Sequence, residues 1–515
     1  MRRRNTNRSG LSRRQDVAVQ PNTARPTRSS GMGSSVSNST PMMSTGIAVN
    51  GSANHPLVDG YENGHLYQYE TSVKKSFDAV VPTLRKVSAY QHEENFVARA
   101  QSVAMQELGF ELPEEILQDA WVEQLDMRSL FAWCVFKTYH RFCDDFYGTA
   151  PLSDNLGNKS VEEFEEFIQQ CGFHTLDVSP CADGRLAHAI RYVLRLPIEA
   201  VRRKSYAGAM FDIDNSIQKW VETEMLRFRE GKPNTADEPT RYLKAVAYHF
   251  SSVSPSVEGC AAHGSDDAKA AAGGLERLTT FQTAIENSFC CGASIDLLLL
   301  GIDTDTDAIK VHIPDANGDI DLDKFVDAKD VYQQTQHLSA VEGVKRIEQM
   351  IRDAQPGVGE GMLKLISKLI TNNLSQIEYV RNYYGSSYED IGHAERFIGA
   401  GIGFEEVQLR NLTYIAYLNT VEESTADFDV GIKIFSKLNV AHGLPVPVVI
   451  RFDYHGQVPG ERERAVQHCQ RVADAAKARY SELAEKGLLH TLLVIRNCNA
   501  NGQIEVLGSS LKASL

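Results

Sequence analysis

Long apolar runs are missing from this sequence: the longest, around Ile295 to Leu300, is far too short to cross a bilayer, so no membrane span is expected. Positive charge is in deficit. A formal net charge of -14 at pH 7 argues against a binder of duplex nucleic acid. Cysteine is sparse and dispersed, nine residues at 134, 143, 171, 181, 260, 290, 291, 469 and 498. That spacing excludes a small disulfide framework, and the odd count suits a reducing cytosol, leaving metal binding or catalysis for any cysteine that matters. The amino terminus lacks the apolar segment of a secretory signal, although its Arg- and Ser-rich, acid-poor composition is also that of a transit peptide.

What is present is enough for a large core. With 515 residues, 42% of them apolar, the chain is expected to form about three globular domains of α/β class behind a tail. Residues 1–58 mix Arg with Ser, Thr, Asn, Pro and Gly, a composition that cannot offset the entropy of ordering. The first thirty residues hold eight arginines against one aspartate, a net of +7 that leaves -21 for the rest. This reads as a disordered basic arm, suited to an acidic protein surface. Residues 59–150 read as a helical domain, with Leu117, Ala120, Trp121, Met127, Leu130, Phe131, Cys134 and Val135 as its apolar positions and Cys134 and Cys143 as core thiols.

Residues 151–402 read as mixed α/β. A helix is expected over Val161 to Cys171, a strand into Cys181 and a helix over Leu186 to Leu196. Further on come a helix from Leu275 to Phe289, a strand from Ser294 to Ile302, an Asp/Thr-rich turn, and a strand from Ile309 to Ile313. Residues 403–515 repeat that unit faintly: helix Glu461 to Leu483, then strands Leu489 to Ile495 and Ile504 to Leu507. In this second copy the strand-like Phe428 to Ile432 is expected where the first has its Cys motif. It has no Cys-x-Asp-x-Arg, so it is expected to bind no metal.

The chemistry is concentrated in Ser179-Pro180-Cys181-Ala182-Asp183-Gly184-Arg185, after the apolar run Phe173 to Val178. If that run is a buried strand, Cys181, Asp183 and Arg185 leave its carboxyl end two apart and on one side. A thiolate there wants a metal or a proton, and the guanidinium can hold the buried carboxylate in a forked hydrogen bond. Two later groups offer further ligands, Tyr248-His249-Phe250 and Gly259-Cys260-Ala261-Ala262-His263-Gly264. Cys181, His249 and Cys260 would make a Cys2His set with one position open, as in catalytic zinc sites. Spacing alone leaves His263 as a fourth ligand or as a replacement for His249. Adjacent Cys290 and Cys291 point apart on a helix and are poor chelators. Asp315 to Ile320 starts like a calcium loop, but Ile320 occupies the position that needs Gly.

Cys181-x-Asp183-x-Arg185, followed by a His, a Cys and Tyr206-Ala207-Gly208-Ala209-Met210, resembles the β-type carbonic anhydrases. Ser179 to Arg185, Cys260 to Gly264, Asn287 to Ile295 and Ile391-Gly392-His393-Ala394-Glu395-Arg396 together resemble more closely the carboxysomal carbonic anhydrases of α-carboxysomes, once called the ε class. The resemblance runs from about residue 60 to the carboxyl end. It implies a helical amino-terminal domain, a β-carbonic-anhydrase-like catalytic domain and a degenerate, metal-free copy of it. It implies one Zn2+ per chain on Cys181, His249 and Cys260, rather than His263, and a zinc-bound hydroxide that interconverts CO2 and bicarbonate with Asp183 and Arg185 as an assisting dyad. His393 is a candidate proton relay by its place in the last block. The resemblance further implies a homodimer or larger homo-oligomer in the carboxysome, supplying CO2 to Rubisco, with the arm expected to dock on Rubisco or shell proteins. One departure stands out: ordinary β-type enzymes place two residues between the ligand His and the second Cys, against ten here, an insertion that can loop out at small cost. A zinc deaminase shares Pro180-Cys181 and a His393-Ala394-Glu395 element, but Gly184 stands where its second Cys belongs. A scaffold with structural zinc is the non-enzymatic alternative.

Overall fold

Helices come first and sheets follow, in a computed structural model that describes residues 55–58, 61–148, 158–198, 201–288, 294–418, 425–499 and 503–515. The basic arm through residue 54, and Cys290 with Cys291, lie outside these. Residues 55–58, assigned above to the arm, are packed: His55 is buried, its main-chain N–H donates to Glu378, and Leu57 lies against Gly343. The amino-terminal helices are Tyr61–Asp78, Val80–Ala89, Phe96–Leu108, Glu114–Asp119 and Met127–Gly148. Met127–Gly148 is apolar on every side over Phe131 to Phe136, and such a helix must be covered all round. It is, by its neighbouring helices on one flank and by Val449, Leu492 and Val494 of the second sheet on the other. Cys134 and Cys143 are core thiols there.

Two sheets follow. The first contains β1 (Thr175–Pro180), β2 (Arg202–Arg203), β3 (Arg241–Phe250), β4 (Ser294–Asp303), β5 (Ile309–Pro314) and β6 (Ile320–Asp327), in the order β2-β1-β3-β4-β5-β6. Pairings from β2 to β4 are parallel and the last two antiparallel. β3 and β4 are buried on both faces, which is why they read as unbroken apolar runs rather than alternations. The helix expected from Leu186 is only a 3-10 turn, Gly184–Leu186, and a π turn, Ala189–Val193.

The second sheet contains β7 (Phe397–Ile402), β8 (Thr413–Tyr417), β9 (Val446–Tyr454), β10 (Leu489–Asn497) and β11 (Glu505–Ser509), in the order β11-β10-β9-β7-β8. β7 thus lies upstream of the boundary expected at 402. Phe428 to Ile432 is not a strand but part of the helix Thr425–Leu438. Read backwards, the order β8-β7-β9-β10-β11 repeats β2-β1-β3-β4-β5 with the same parallel and antiparallel pairings.

The central pairs end alike, with Phe250 opposite Asp303 and Tyr454 opposite Asn497. His249 therefore corresponds to Asp453 and Ala247 to Arg451. Pro180 opposite Ala247 and Gly401 opposite Arg451 then set Cys181 against Ile402, and Asp183 against Phe404. Among the described residues no Cys-His-Cys cluster recurs in this second sheet. In its place the fully buried Arg451 donates Nε and Nη2 to Asp453 at 2.7 and 3.0 Å and Nη1 to Glu406 at 2.5 Å. Tyr139 and Tyr147, from the amino-terminal helices, donate to the same Glu406 at 3.0 and 2.7 Å.

Candidate metal centre

β1 ends at Pro180, and the chain continues beside β3 through a bond from the Cys181 N–H to the Ala247 carbonyl. It then turns tightly. Asp183 caps the 3-10 turn by accepting from the Arg185 N–H at 3.0 Å, so the two side chains meet through a turn rather than by the strand alternation expected above. Arg185 closes the fork on Asp183 with Nε to Oδ1 at 2.9 Å and Nη2 to Oδ2 at 2.8 Å. Its Nη1 donates to the carbonyls of Glu258, 2.7 Å, and Ile391, 2.9 Å. Burial works against charge on Asp183, but the guanidinium overrides it, with His393 and His249 adding, and the carboxyl is held well below the usual range. Gly184 is required by close approach: a Cβ there would lie 2.4 Å from Glu395 Oε1.

His249, one residue before the end of β3, faces this turn. The ligand atoms of Cys181, His249 and Cys260 all lie within 4.8 Å of one another, and all three residues are buried. Neither ring nitrogen of His249 has a hydrogen-bond partner, although Nε2 is 3.2 Å from Asp183 Oδ2. Cys181 and Cys260 are free thiols. Two thiols converging with an imidazole whose ring nitrogens have no hydrogen-bond partner, all three buried, fit a soft or borderline cation such as zinc.

His263 is not among these donors. Its ring is inserted between Gly208 and Gly273, where a Cβ would come within 3.1 and 2.7 Å of it, and Nε2 lies 3.2 Å from the Gly208 carbonyl. The ten residues between His249 and Cys260 are tied rather than loose. Asp305 accepts from Ser251 Oγ and the Val253 N–H at 2.7 and 2.8 Å, and Asp303 from Ser252 Oγ at 2.7 Å. The Asp/Thr-rich turn seen in the sequence is thus the anchor of this segment, a role its composition did not announce. Glu395 was quoted in the sequence only as part of the His393 block, with no role, and Asn411 was not singled out, since nothing in its local pattern marks it.

His393 stands at the mouth, its side chain 21% exposed. Nδ1 donates to Glu395 Oε1 at 2.9 Å and Nε2 lies 3.7 Å from Asp183 Oδ2. Burial opposes its protonation, but the Asp183 and Glu395 carboxylates win and push it up to about 9. Asp183, His393 and Glu395 form a second compact donor group beside the first. Beside Cys181 and Asp183 is a cavity of about 20 Å³ lined by Leu186, Ala187 and Ile190 and, from the second sheet, Thr413, Ile415 and Tyr417. That is room for one very small molecule.

Family models described as Carboxysome Shell Carbonic Anhydrase match the chain in three successive parts: N-terminal over residues 55–147, catalytic domain over 163–393 and C-terminal over 394–511. The carboxysome shell carbonic anhydrase of Prochlorococcus marinus strain MIT 9313 is 54% identical over 480 residues, 92% of this chain and 93% of that protein. That of Halothiobacillus neapolitanus is 45% identical over 468 residues, 88% and 90% of the two chains. The three family models cover the chain in succession and these relatives match it along nearly their whole length, so the chain belongs to the carboxysome shell carbonic anhydrases, enzymes of the carboxysome.

Proposed function

We propose that the chain is a zinc enzyme that interconverts bicarbonate and CO2 to supply Rubisco, with Cys181, His249 and Cys260 as the metal ligands. The convergence of these three donors beside an arginine-held carboxylate is the observation that carries the reading. Two thiolates and a neutral imidazole balance the charge of Zn2+, and zinc in such a site supplies a nucleophile from water by lowering its pKa to about 7. Asp183, ionised, can only accept a hydrogen bond, so it orients the attacking oxygen by taking its proton side. Arg185 holds the carboxylate in the ionised form and at a fixed angle, and through Glu258 and Ile391 ties the turn to the segments that close the pocket. The small cavity, walled by Leu186, Ala187, Ile190 and Ile415, suits an apolar triatomic better than a solvated ion. His393, partly exposed and next to Asp183, is the relay that carries protons to solvent.

Stopped-flow CO2 hydration combined with metal analysis tests the ligand set. Cys181→Ser and His249→Ala should lose both zinc and activity, and His263→Ala should keep zinc near one per chain. Full zinc in His249→Ala would sink the assignment. The enzyme works as a homodimer or larger homo-oligomer, and its basic arm docks on Rubisco or on shell proteins, as the +7 charge of its first thirty residues suggests. Deleting residues 1–50 should leave hydration intact and release the enzyme from purified carboxysomes. Undiminished packaging would remove the arm's role.

A further inference from the structure

The segment joining β7 to β8 occupies, in the metal-free sheet, the place that residues 181–201 hold in the other. It has none of that segment's ligands, yet two of its residues reach into the catalytic half. Arg410, fully buried, donates Nη1 to Asp390 Oδ1 at 2.6 Å and Nη2 to the carbonyls of Asp390 and Thr304 at 2.9 and 3.0 Å. Its guanidinium also lies 3.9 Å from the centre of the Tyr388 ring.

Asn411, equally buried, has all its polar groups engaged. Nδ2 donates to the Gly392 carbonyl at 2.7 Å and to Asp390 Oδ2 at 3.2 Å, and Oδ1 accepts from the Ala394 N–H at 3.0 Å. The main-chain N–H donates to the Gly184 carbonyl at 2.8 Å, and the main-chain carbonyl accepts from Arg396 Nη1 at 2.8 Å. The side chain therefore grips the residues immediately before and after His393, while the backbone grips the residue between Asp183 and Arg185. Its φ is +57°, a region that Asn enters far more readily than most residues other than Gly.

We infer that Asn411, a residue of the metal-free copy, is a positioning residue for the reaction, holding the His393 segment in register with the Asp183 turn. A proton relay works only within hydrogen-bond reach, directly or through one water. His393 Nε2 stands 3.7 Å from Asp183 Oδ2, just beyond direct hydrogen-bond distance, so a shift of about an ångström in residues 392–394 decides whether the two groups come within reach or part. Besides the clasp, the segment is held by the Arg185 bond to Ile391, the Glu395 bond to the ring and a bond from Arg396 Nη1 to the Ala394 carbonyl, none of which engages the two peptides that join His393 to its neighbours. The inference rests on the relay reading of His393, and the experiment separates the two.

Asn411→Gly keeps the left-handed backbone and the bond to Gly184 and removes only the clasp. Asn411→Asp keeps the shape and sets a carboxylate against Asp390 and the Gly392 carbonyl. In the full-length, zinc-loaded chain at low concentration of a buffer that does not exchange protons well, Asn411→Gly should lose kcat about ten- to a hundredfold, the usual range for outer-shell positions. Its kcat/KM, zinc content and melting temperature should stay near the parent's, and added imidazole should restore kcat. Asn411→Asp should lose at least as much. Parental kcat in Asn411→Gly, a loss that imidazole does not restore, or loss of zinc would each overturn the positioning role. His393→Ala runs alongside. If it keeps the parent's kcat in the same buffer, the relay reading falls and the inference with it. If it shows the imidazole-reversible loss and Asn411→Gly does not, the relay stands and the inference alone falls.

Discussion

In the proposed reaction Asp183 acts only while ionised, and its neighbours hold it in that state. A buried carboxylate left alone would take a proton. Here Arg185 donates to both its oxygens, and His393 and His249 add to the effect. Asp183→Asn preserves volume but offers an amide N–H2 where acceptors are needed and leaves a buried guanidinium underpaired. It should retain zinc and lose hydration activity by roughly ten- to a hundredfold, measured by stopped flow with metal analysis on the same sample. Loss of zinc or of the fold would instead make the dyad a structural ion pair. Cys181, Asp183, Arg185 and Cys260 stood out in the sequence because each is a chemically distinctive residue in a distinctive block, and the structure brings them together beside His249. The choice between His249 and His263 was not legible from spacing, since both sit within ligand distance along the chain of Cys260. Packing separates the two in space: His249 lies with Cys181 and Cys260, and His263 is enclosed by Gly208 and Gly273, two glycines distant in sequence. Asn411 was invisible for a similar reason, its partners lying at 184, 390, 392 and 394.

Among the elements, those buried on both faces were the easiest to read, and short segments that fit two periods were the hardest. Phe428 to Ile432 has apolar residues at alternate positions, but Phe428, Ile432 and Phe435 also fall on one helical face, and over five residues neither pattern excludes the other. Packing decides it, Gly431 being pressed on the Tyr414 ring. β5 was read correctly and hides a titrating group. His312 is buried, its Nδ1–H donating to the Leu322 carbonyl at 3.1 Å while the Tyr248 hydroxyl donates to Nε2 at 2.9 Å. Burial, with the Lys310 cation assisting, pushes its pKa from the ordinary 6.5 down to about 4. Between those values the unfolded chain binds a proton that the folded one refuses, so stability rises with pH. The contribution is fully present above pH 6.5 and is lost as the pH falls toward 4, up to about 3 kcal/mol. His312→Gln should therefore show a shallower fall in melting temperature than the parent between pH 6.5 and 4.5, followed by circular dichroism. Parallel curves would mean that His312 does not titrate differently in the two states.

At the scale of the whole molecule, the two sheets share one plan, and near the strand ends where the first has its Cys-His-Cys cluster the second has an ionic joint. Arg451 stands in the strand position of Ala247, bridging Asp453, Glu406 and, through Tyr139 and Tyr147, the amino-terminal helices. Taking three charges out of water is costly, so such a cluster adds little compared with an apolar filling of equal shape, but removing one member strands the others. Arg451→Met would leave the buried Glu406 and the partly buried Asp453 without their common cation, with the Tyr139 and Tyr147 hydroxyls still donating to Glu406 and Arg496 to Asp453 at 3.1 Å. We expect it to lower the free energy of unfolding by about 3–5 kcal/mol in denaturant titrations at neutral pH. The deficit should shrink in acid. Burial favours protonation of Glu406, but Arg451 overrides it and holds the carboxyl below its ordinary value near 4.5. The pair's stability is thus present above that pH and lost as the pH falls through the lowered value. In Arg451→Met the carboxyl no longer has that support, takes a proton on folding and ceases to be stranded. A deficit unchanged from pH 7 to pH 4 would show that the arginine acts by its bulk rather than by its charge.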